Sequence, residues 1–399
     1  MYDLSIIGGG IVGLSVGWAL TRRYPNKKIV LLEKEQHWGY HQTGHNSGEI
    51  HSGIYYAPGS LKARLCRAGN RALVDFCRQH GVPHKICGIV VVASSPSEIP
   101  QLDSLWDRAQ LNGIEIVRLN RDQLNDIEPH CVGLAALSVP STGIVDYQRV
   151  AETLASLMEK AGANLYLNTE LKAVSVASDS IWIDCASSSF ESRFLINCAG
   201  LQSDRVATLM GIRTGLRIVP VRGEYYRLRK DKQHLVKTLV YPLPNLRYPF
   251  LGVHFNRQIN GEVRVGPNAV LSLQREGYDT NAFHFREAME LCQSPAFWKF
   301  AYSNWREGGK EFLRSFSKRL FLRRVQRLIP DVQATDLVGI HTGIRAQAIR
   351  EEDGQAVDDF VVVSGPRSLH ICNAPSPAAT SSIPIGMMIV DRLEELGVV

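Results

Sequence analysis

Three glycines near the start of the chain, Gly8, Gly10 and Gly13, have the spacing that binds a dinucleotide. Gly8 permits a tight turn, Gly10 lets the backbone approach a pyrophosphate, and Gly13 lets a helix pack closely against a strand. Glu33 lies twenty residues past Gly13, where a carboxylate can accept hydrogen bonds from both hydroxyls of an adenosine ribose. Because that carboxylate would repel a 2'-phosphate, the pattern argues against NADP.

The elements that must position these glycines are also indicated by the sequence. The apolar run Leu4–Ile7 precedes the glycines and predicts a strand, and a helical pattern follows them. A second apolar run, Ile29–Leu32, leads directly into Glu33. The complete strand, turn, helix and acid give the context that the motif requires, so the chance alternative is disfavoured.

Composition indicates a globular protein with a large core. With 399 residues, of which 45% are hydrophobic, the chain predicts two domains or one domain with a large insertion. The eight cysteines are scattered without a C-x-x-C pair, so we expect no metal site, no disulfide framework and a reducing intracellular compartment. Two uncharged stretches, 4–21 and 373–390, are interrupted by glycines or prolines and are not predicted to span a membrane.

The net charge of +6 is concentrated in one stretch. Residues 297–328 contain nine Lys and Arg against two Glu, a surplus of seven, interleaved with aromatic residues. This pattern suits a helical hairpin, within a basic aromatic helical region at 283–328, that lies on an anionic membrane surface. The alternative is that this helical segment packs on its own domain and does not contact a membrane.

Periodicity predicts the remaining elements. Helices are expected at 60–80, 97–112, 146–161 and 381–396, and strands at 89–92, 172–176, 181–185, 194–198, 360–363 and 369–371. Between Val219 and Val270, short strands with turns at Asn260-Gly261 and Gly266-Pro267 are typical of an antiparallel sheet.

Five segments carry a resemblance more specific than the glycine motif. They are His41–Tyr56, Pro58–Ala63, Arg222–Tyr225, Gly266–Val270 and Cys372–Thr380. Together they closely resemble the FAD-dependent L-2-hydroxyglutarate oxidases and dehydrogenases, which belong to the D-amino-acid-oxidase-like (DAO) flavoproteins. The resemblance runs from end to end of the chain.

The resemblance implies an α/β plus α+β fold. A discontinuous Rossmann-like FAD-binding domain would carry an inserted antiparallel-sheet domain that covers the flavin. The expected FAD-binding segments are 1–82, 145–218 and 330–399, and the expected substrate-binding segments are 83–144 and 219–329. The resemblance also implies oxidation of L-2-hydroxyglutarate to 2-oxoglutarate, with electrons passed to a membrane quinone or to oxygen.

The resemblance further implies which residues bind FAD. Beyond Gly8, Gly10, Gly13 and Glu33, they are Thr43, Asn46, Ser47, Gly48, Val174, Ala199, Gly200, Pro375, Ser376, Ala378, Ala379 and Thr380. The run ending at Thr380 precedes the last predicted helix, so its amides can stabilise negative charge on a reduced flavin. Cys372 is either a covalent anchor or, as we favour, a buried thiol.

Oxidation of a 2-hydroxy acid needs a base, and two histidines are candidates. His51 is the first, because neutral imidazole accepts a proton at working pH and its loop is expected to pass over the flavin. His254, on a strand of the covering sheet, is the rival.

Cationic groups are needed for the two carboxylates of the substrate. Arg345 resembles the arginine that clamps a substrate carboxylate in related oxidases, and its planar fork suits bidentate pairing. Arg222, Tyr225 and Lys62 are candidates for the second contact, although a surface ion pair is the favoured alternative for Lys62.

Two other functions are compatible with these residues. An amino acid or amine oxidase would share the fold and the cofactor, and a nucleic-acid-binding or scaffold protein would use the basic aromatic stretch. We favour the hydroxy-acid enzyme and expect no nucleic-acid partner. We expect the protein on the cytoplasmic side of the inner membrane, with residues 297–328 held at the membrane surface.

Overall fold

The computed structural model describes residues 1–244, 252–279, 282–304 and 317–399. The strands are β1 (Tyr2–Ile7), β2 (Ile29–Leu32), β3 (Glu49–Ile50), β4 (His84–Ile86), β5 (Ile89–Ala93), β6 (Val117–Asn120), β7 (Ala135–Val139), β8 (Gly143–Val145), β9 (Asn164–Tyr166), β10 (Leu171–Val176), β11 (Ile181–Cys185), β12 (Ser189–Asn197), β13 (Leu216–Leu228), β14 (Leu239–Pro242), β15 (His254–Arg257), β16 (Val263–Leu271), β17 (Leu337–Arg350), β18 (Val361–Gly365) and β19 (Ser368–Asn373). The helices are α1 (Ile11–Arg23), α2 (Leu61–His80), α3 (Ile99–Leu111), α4 (Arg121–Ile127), α5 (Tyr147–Lys160), α6 (Ser203–Leu209), α7 (Phe285–Cys292), α8 (described over 295–304), α9 (Lys318–Val325) and α10 (Ser382–Glu395).

The first sheet has a parallel centre. Its strands follow the order β10-β11-β12-β1-β2-β9, and β19 also pairs with β12 in parallel while β18 pairs with β19. Buried side chains of α1, α2, α5 and α10 form one apolar core with β1, β2, β12 and β19. The continuous apolar runs of β1 and β2 suit strands that are covered on both faces.

The second sheet is mostly antiparallel, with strand order β17-β13-β16-β15-β14-β5-β7-β6. It combines the chain segment around 89–139 with the segment 216–271, because β5 pairs in parallel with β14. The predicted combination of a Rossmann-like domain and a separate antiparallel-sheet domain is therefore confirmed as a fold, with one parallel strand pair in the second sheet. The predicted turn at Gly266-Pro267 is wrong, since both residues lie inside β16.

The predicted domain bounds remain a prediction. One feature of the second sheet bears on them, because β17 lies in the chain segment 330–399, which was expected to belong to the FAD-binding domain. This strand pairs with β13 along its full length, from Leu216 opposite Arg350 to Leu228 opposite Leu337. The last segment therefore contributes one strand to the second sheet before it returns to the first through β18 and β19.

The basic aromatic stretch divides between core and surface. Phe297 and Phe321 are buried in two apolar clusters beside the second sheet, whereas Trp298, Tyr302 and Leu320 are exposed. The part from 305 to 316 lies outside the described residues. Among the described residues, no helix has the length and apolar character needed to cross a bilayer.

A small third sheet, ordered β3-β8-β4, positions the loop that contains His51. Glu49 of β3 pairs with Ile144, and Ile50 pairs with Gly143, in an antiparallel ladder. Because side chains alternate across a strand, the side chains of Glu49 and His51 leave the backbone on the same side. This short strand therefore brings two ionisable groups together.

Candidate active site

A cavity of about 2220 Å³ runs between the first and second sheets. It begins at the glycine turn after β1 and extends to the face of the second sheet that carries Tyr225, His254 and Arg345. Sites for drug-sized ligands typically occupy roughly 300–1,000 Å³. The cavity is therefore large enough for an extended ligand of dinucleotide size together with a small substrate.

The glycine turn is shaped by close contacts that exclude side chains. Gly8 has a φ of +110°, and a Cβ there would lie 2.5 Å from the carbonyl oxygen of Cys198. A Cβ on Gly13 would lie 2.1 Å from the carbonyl oxygen of Gly8, whereas a Cβ on Gly10 would meet no atom closer than 3.6 Å. Gly8 and Gly13 thus allow α1 to approach β1, and Gly10 leaves open space at the cavity wall.

Glu33 lines the cavity but its carboxylate is already engaged. Oε2 accepts a hydrogen bond of 2.6 Å from the amide of Gly9, and Oε1 accepts one of 2.9 Å from the amide of Glu35. The carboxylate therefore fixes the glycine turn as well as facing the cavity. Its expected contact with a ribose would use the remaining lone pairs of the two oxygens.

The loop from 38 to 48 forms one wall. The hydroxyl oxygen of Thr43 accepts from the amide of Ile11, at the start of α1, at 3.0 Å. Asn46 holds the loop by donating to the carbonyl of Thr43 and by accepting from the amide of Gly48. Thr43, Asn46 and Ser47 line the cavity, whereas Gly48, whose φ of +74° permits the turn, does not.

Two later turns also line the cavity. Ala199 and Gly200, after β12, line the cavity, and Gly200 has a φ of +53°. Four further predicted residues line it before α10, namely Pro375, Ser376, Ala378 and Ala379. These turns were predicted from sequence, and the structure brings both of them to the same cavity.

Four predicted cofactor contacts, counting Gly48, do not line the cavity. Val174 lies within β10 and packs against an apolar cluster of the first sheet, whereas Leu171 and Lys172 of the same strand line the cavity. Its predicted contact with the cofactor stays a prediction. Thr380 is fully buried, where its hydroxyl accepts from the amide of His51 at 3.1 Å. Gly13 acts in helix packing, as its predicted role requires.

One ring nitrogen of His51 contacts the carboxylate of Glu49. Its Nδ1 lies 3.0 Å from Oε1 of Glu49, and its Nε2 lies 3.5 Å from the hydroxyl of Ser376. Burial alone would raise the pKa of the Glu49 carboxyl, but the charge and hydrogen bond of His51 and the hydrogen bond from Tyr241 together hold that pKa below its usual value. The His51 imidazole lines the cavity and is partly exposed.

His254 also lines the cavity but is held differently. Its Nδ1 lies 2.8 Å from the carbonyl oxygen of Gly252, so this nitrogen carries the proton and donates it. The ring stacks on Tyr241 at a centroid distance of 3.9 Å. Burial lowers the pKa of His254 to about 4, although the Glu49 carboxylate opposes the shift. His254 is therefore neutral at working pH and a weaker base than an imidazole paired with a carboxylate.

Strand alternation in β13 decides which predicted substrate residues reach the cavity. Val221, Gly223 and Tyr225 line the cavity, and the guanidinium of Arg345 hydrogen-bonds to the phenol of Tyr225. Arg222 leaves the strand on the opposite side, because successive side chains alternate.

The predicted substrate role of Arg222 is therefore corrected. Its guanidinium is buried, with Nη2 2.8 Å from Oε1 of Glu224, and Nη1 donates to the carbonyl of Asp279 at 3.1 Å. These partners satisfy the cation within the protein.

Lys62 forms an ion pair, as expected from the sequence, but it is not a surface residue. Its side chain is 10% exposed, and Nζ lies 2.8 Å from Oδ1 of Asp358, whose side chain is 96% exposed. Nζ also lies 5.8 Å from the ring centroid of Tyr56, and all three residues line the cavity. The lysine therefore offers a cation in the cavity that pairs with a solvent-facing carboxylate and lies over the ring of Tyr56.

The residues at the glycine turn fit the pyrophosphate and ribose of a flavin dinucleotide. The first turn of α1 contains no acidic residue, and the hydroxyl of Thr43 accepts from the amide of Ile11 there. The positive end of the helix therefore faces the cavity, where it favours an anionic group. The open space at Gly10 gives the close backbone approach that a pyrophosphate needs.

Comparison with known proteins agrees with this geometry. The model of a family described as "FAD dependent oxidoreductase" (DAO) matches residues 3–392. The chain belongs to the DAO family of FAD-dependent oxidoreductases. FAD is accordingly the cofactor of this DAO-family protein.

Individual relatives are similar over nearly the whole chain. An L-2-hydroxyglutarate dehydrogenase from Indibacter alkaliphilus is 45% identical over 96% of this chain and 97% of its own. One from Escherichia coli is 44% identical over 99% of this chain and 94% of its own. Among solved structures, an FAD-bound L-alpha-glycerophosphate oxidase from Mycoplasma pneumoniae has a TM-score of 0.81 and 19% identity, covering 98% of this chain and 94% of that one. This last likeness shows the DAO fold alone.

Sequence reasoning missed the residues that hold the His51 loop. Tyr147 donates from its hydroxyl to the carbonyl of Glu49 at 2.8 Å, and Asn70 donates to the carbonyl of His51 at 3.1 Å. Both lie in helices whose patterns indicate only packing. A buried tyrosine or asparagine with its polar atom facing the core is a signal that appears only once the fold is known.

The low pKa of His254 predicts a specific dependence of stability on pH. In the unfolded chain this histidine titrates near 6.5, and in the folded protein near 4, so between these values the unfolded state binds more protons. The free energy of unfolding should fall as the pH drops from 6.5 to 4, by at most about 1.4 kcal/mol per pH unit from this residue. Urea unfolding at pH 6.5, 5.5 and 4.5 measures the slope, which should be shallower in His254→Gln.

The control for this experiment is the exposed His234, changed to Gln, which should leave the slope unchanged. His341 and His370, whose pKa values burial also lowers to about 4, contribute equally in all three proteins. Identical slopes for His254→Gln and the unmodified protein would contradict the assignment.

Proposed function

We propose that this protein oxidises L-2-hydroxyglutarate to 2-oxoglutarate. The observation that carries the proposal is a single cavity whose lining includes a candidate base, His51, and two cationic side chains, Arg345 and Lys62. The names of the similar proteins from Indibacter alkaliphilus and Escherichia coli support the same substrate and favour it over an amine. A five-carbon diacid needs both features, because it has one reacting hydroxyl and two carboxylates.

His51 is the proposed base. With Nδ1 directed at Glu49, the ring can accept a proton only on Nε2. The hydroxyl proton of the substrate passes to Nε2 as the C2 carbonyl forms, and the hydrogen on C2 leaves as hydride. FAD, when bound, supplies the acceptor for that hydride. The carboxylate of Glu49 lies close enough to stabilise the imidazolium that forms. Among the described residues, no carboxylate lies as close to the ring of His254.

Arg345 and Lys62 are the proposed carboxylate contacts. Arg345 and Tyr225 would together bind the carboxylate next to the reacting carbon, since the guanidinium and the phenol already face each other. Lys62 would bind the distal carboxylate, which would replace Asp358 as the partner of Nζ. Tyr56 lies beside Lys62, and its hydroxyl contacts Ser376, so the two ends of the wall are connected.

The electron acceptor is proposed to be a membrane quinone or oxygen, and an anionic membrane surface is the proposed partner of the basic stretch. The support is an exposed set of aromatic, apolar and basic side chains, which includes Trp298, Tyr302, Leu320, Arg319 and Arg323. Such a combination binds anionic bilayers through apolar insertion and charge.

The role of His51 is tested by His51→Ala. Flavin reduction by L-2-hydroxyglutarate, followed anaerobically by loss of the flavin absorbance, should slow at least about a hundredfold, because the hydroxyl proton loses its acceptor. The FAD content should not change. His234→Ala, on the exposed surface, is the control. An unchanged rate in His51→Ala removes this residue from the mechanism, and reduction by amino acids but not by hydroxy acids would overturn the substrate.

The role of Lys62 is tested by Lys62→Met with two substrates. The KM for L-2-hydroxyglutarate should rise about tenfold or more, since a charge-assisted contact contributes about 1.5–3 kcal/mol. The KM for L-2-hydroxybutyrate, which lacks the distal carboxylate, should change little. Asp358→Asn keeps the lysine and removes its partner, so its KM for the diacid should be unchanged or lower. Equal effects of Lys62→Met on both substrates would contradict the assignment.

The membrane proposal is tested by reversing two exposed charges, Arg319→Glu with Arg323→Glu. Sedimentation with vesicles that contain phosphatidylglycerol should fall several-fold relative to the unmodified protein, and added salt should weaken the remaining binding. The matched control reverses Arg149 and Arg392, which are exposed on helices of the first domain. Binding that ignores the first pair and salt would count against a membrane surface.

A further inference from the structure

A buried carboxylate next to the proposed base has no role in binding either end of the substrate. The side chain of Glu49 is 2% exposed, and a carboxylate is stable at such depth only when it is paired and hydrogen-bonded. Oε1 lies 3.0 Å from Nδ1 of His51. Oε2 accepts a hydrogen bond of 2.6 Å from the hydroxyl of Tyr241. Each oxygen thus has a different partner.

Those two partners belong to different parts of the fold. His51 follows β3 in the small third sheet, and Tyr241 lies in β14 of the second sheet. The side chain of Asn256 in β15 lies 3.1 Å from the same tyrosine oxygen. The second sheet therefore fixes the carboxylate, and the carboxylate in turn contacts the imidazole.

The backbone of Glu49 is fixed as well. Its carbonyl accepts from the hydroxyl of Tyr147 at 2.8 Å and from that of Thr380 at 3.3 Å. Thr380 also accepts from the amide of His51. Because both the side chain and the backbone are held, Glu49 offers the imidazole an acceptor in one defined position.

We propose that Glu49 is the positioning residue for His51. It accepts the Nδ1 proton, so that Nε2 keeps its lone pair directed into the cavity. When Nε2 takes the hydroxyl proton of the substrate, the carboxylate stabilises the imidazolium and remains ionised itself. The arrangement uses the same physical logic as a carboxylate that orients a catalytic histidine in hydrolases. This inference rests on the proposed role of His51 as the base.

The other ionisable groups around Glu49 do not compete for this role. The imidazole of His254 donates its Nδ1 proton to Gly252. The phenols of Tyr55, Tyr147 and Tyr241 and the thiol of Cys66 have pKa values that burial raises, so they stay neutral. The Arg345 guanidinium interacts with the phenol of Tyr225. The imidazole of His51 is thus the group whose positive charge this carboxylate can stabilise.

Glu49→Gln tests the proposal, because the amide is isosteric but uncharged. The limiting rate of flavin reduction by L-2-hydroxyglutarate should fall about 10- to 100-fold, with the KM and the FAD content nearly unchanged. The acid limb of the rate against pH should move to lower pH by about one unit, since the imidazolium loses its stabilising anion. Glu49→Asp keeps the charge and should leave the limb in place.

Glu128→Gln is the matched control. Glu128 is fully buried and accepts from the amide of Lys237 near the start of β14, away from the cavity. A purely structural effect of losing a buried charge would slow both Gln variants and leave both pH profiles unshifted. That result would overturn the positioning role.

A double-mutant cycle with His51→Ala isolates the coupling. If Glu49 acts through His51, Glu49→Gln should slow the His51→Ala protein less than about twofold. An equal slowing in both backgrounds would show that Glu49 acts elsewhere and would overturn the inference.

A measurement without substrate separates this inference from the proposed function. In the oxidised holoenzyme at neutral pH, the ¹⁵N shifts of His51 should show the proton on Nδ1, and Glu49→Leu should release it to Nε2. A proton on Nε2 in the unmodified protein would overturn the positioning role whatever the substrate is. Failure to oxidise L-2-hydroxyglutarate, with the proton on Nδ1, would instead overturn the substrate and the base and leave the orientation by Glu49 supported.

Discussion

The close approach of α1 to the ends of β1 and β12 is the constraint on which the rest of the structure depends. A Cβ at Gly8 or Gly13 would lie within 2.5 Å of a backbone carbonyl oxygen, so the approach requires both glycines. It places the start of α1 at the cavity, where a helix N-terminus attracts an anion. The hydroxyl of Thr43 and the carboxylate of Glu33 then fix the surrounding loops against this turn.

The second sheet completes the site from the other side. Gly343 of β17 lies so close to the loop after β2 that a Cβ would be 2.1 Å from the carbonyl oxygen of His45. This contact holds the strand that carries Arg345 against the loop that carries Thr43. Tyr241, from β14 of the same sheet, contacts the buried carboxylate of Glu49. The reacting groups therefore lie on two sheets whose contacts with each other set their spacing.

Much of the fold was predictable because its signals are local. The strand, turn and helix around Gly8 follow from a short run of residues, and helices such as α2 and α5 have caps that a sequence shows directly, Ser60 and Asp146. The parallel pairing of β5 with β14 was not predictable, since the two strands lie about 150 residues apart and no local pattern specifies a partner at that distance.

The candidate site was predictable in part for the same reason. Residues of the glycine turn and of the run before α10 reach the cavity as expected, because each belongs to a turn whose geometry is local. Arg222 and Tyr225 were equally plausible in sequence, and the alternation of β13 together with Glu224 decided between them. Val174 likewise lies in the predicted strand, but Leu171 and Lys172 are the residues of that strand that line the cavity.

The sequence by itself determined the class of cofactor site, since glycine spacing and an acid at the end of the next strand are requirements of the backbone and of the ribose. Only the tertiary structure decided which ionisable groups act together. Glu49 and His51 are separated by one residue, yet their pairing matters because Tyr241 and Thr380 come from distant parts of the chain to hold them. Burial removes water as a competing partner, so the charge on Glu49 depends on the contacts that the fold provides.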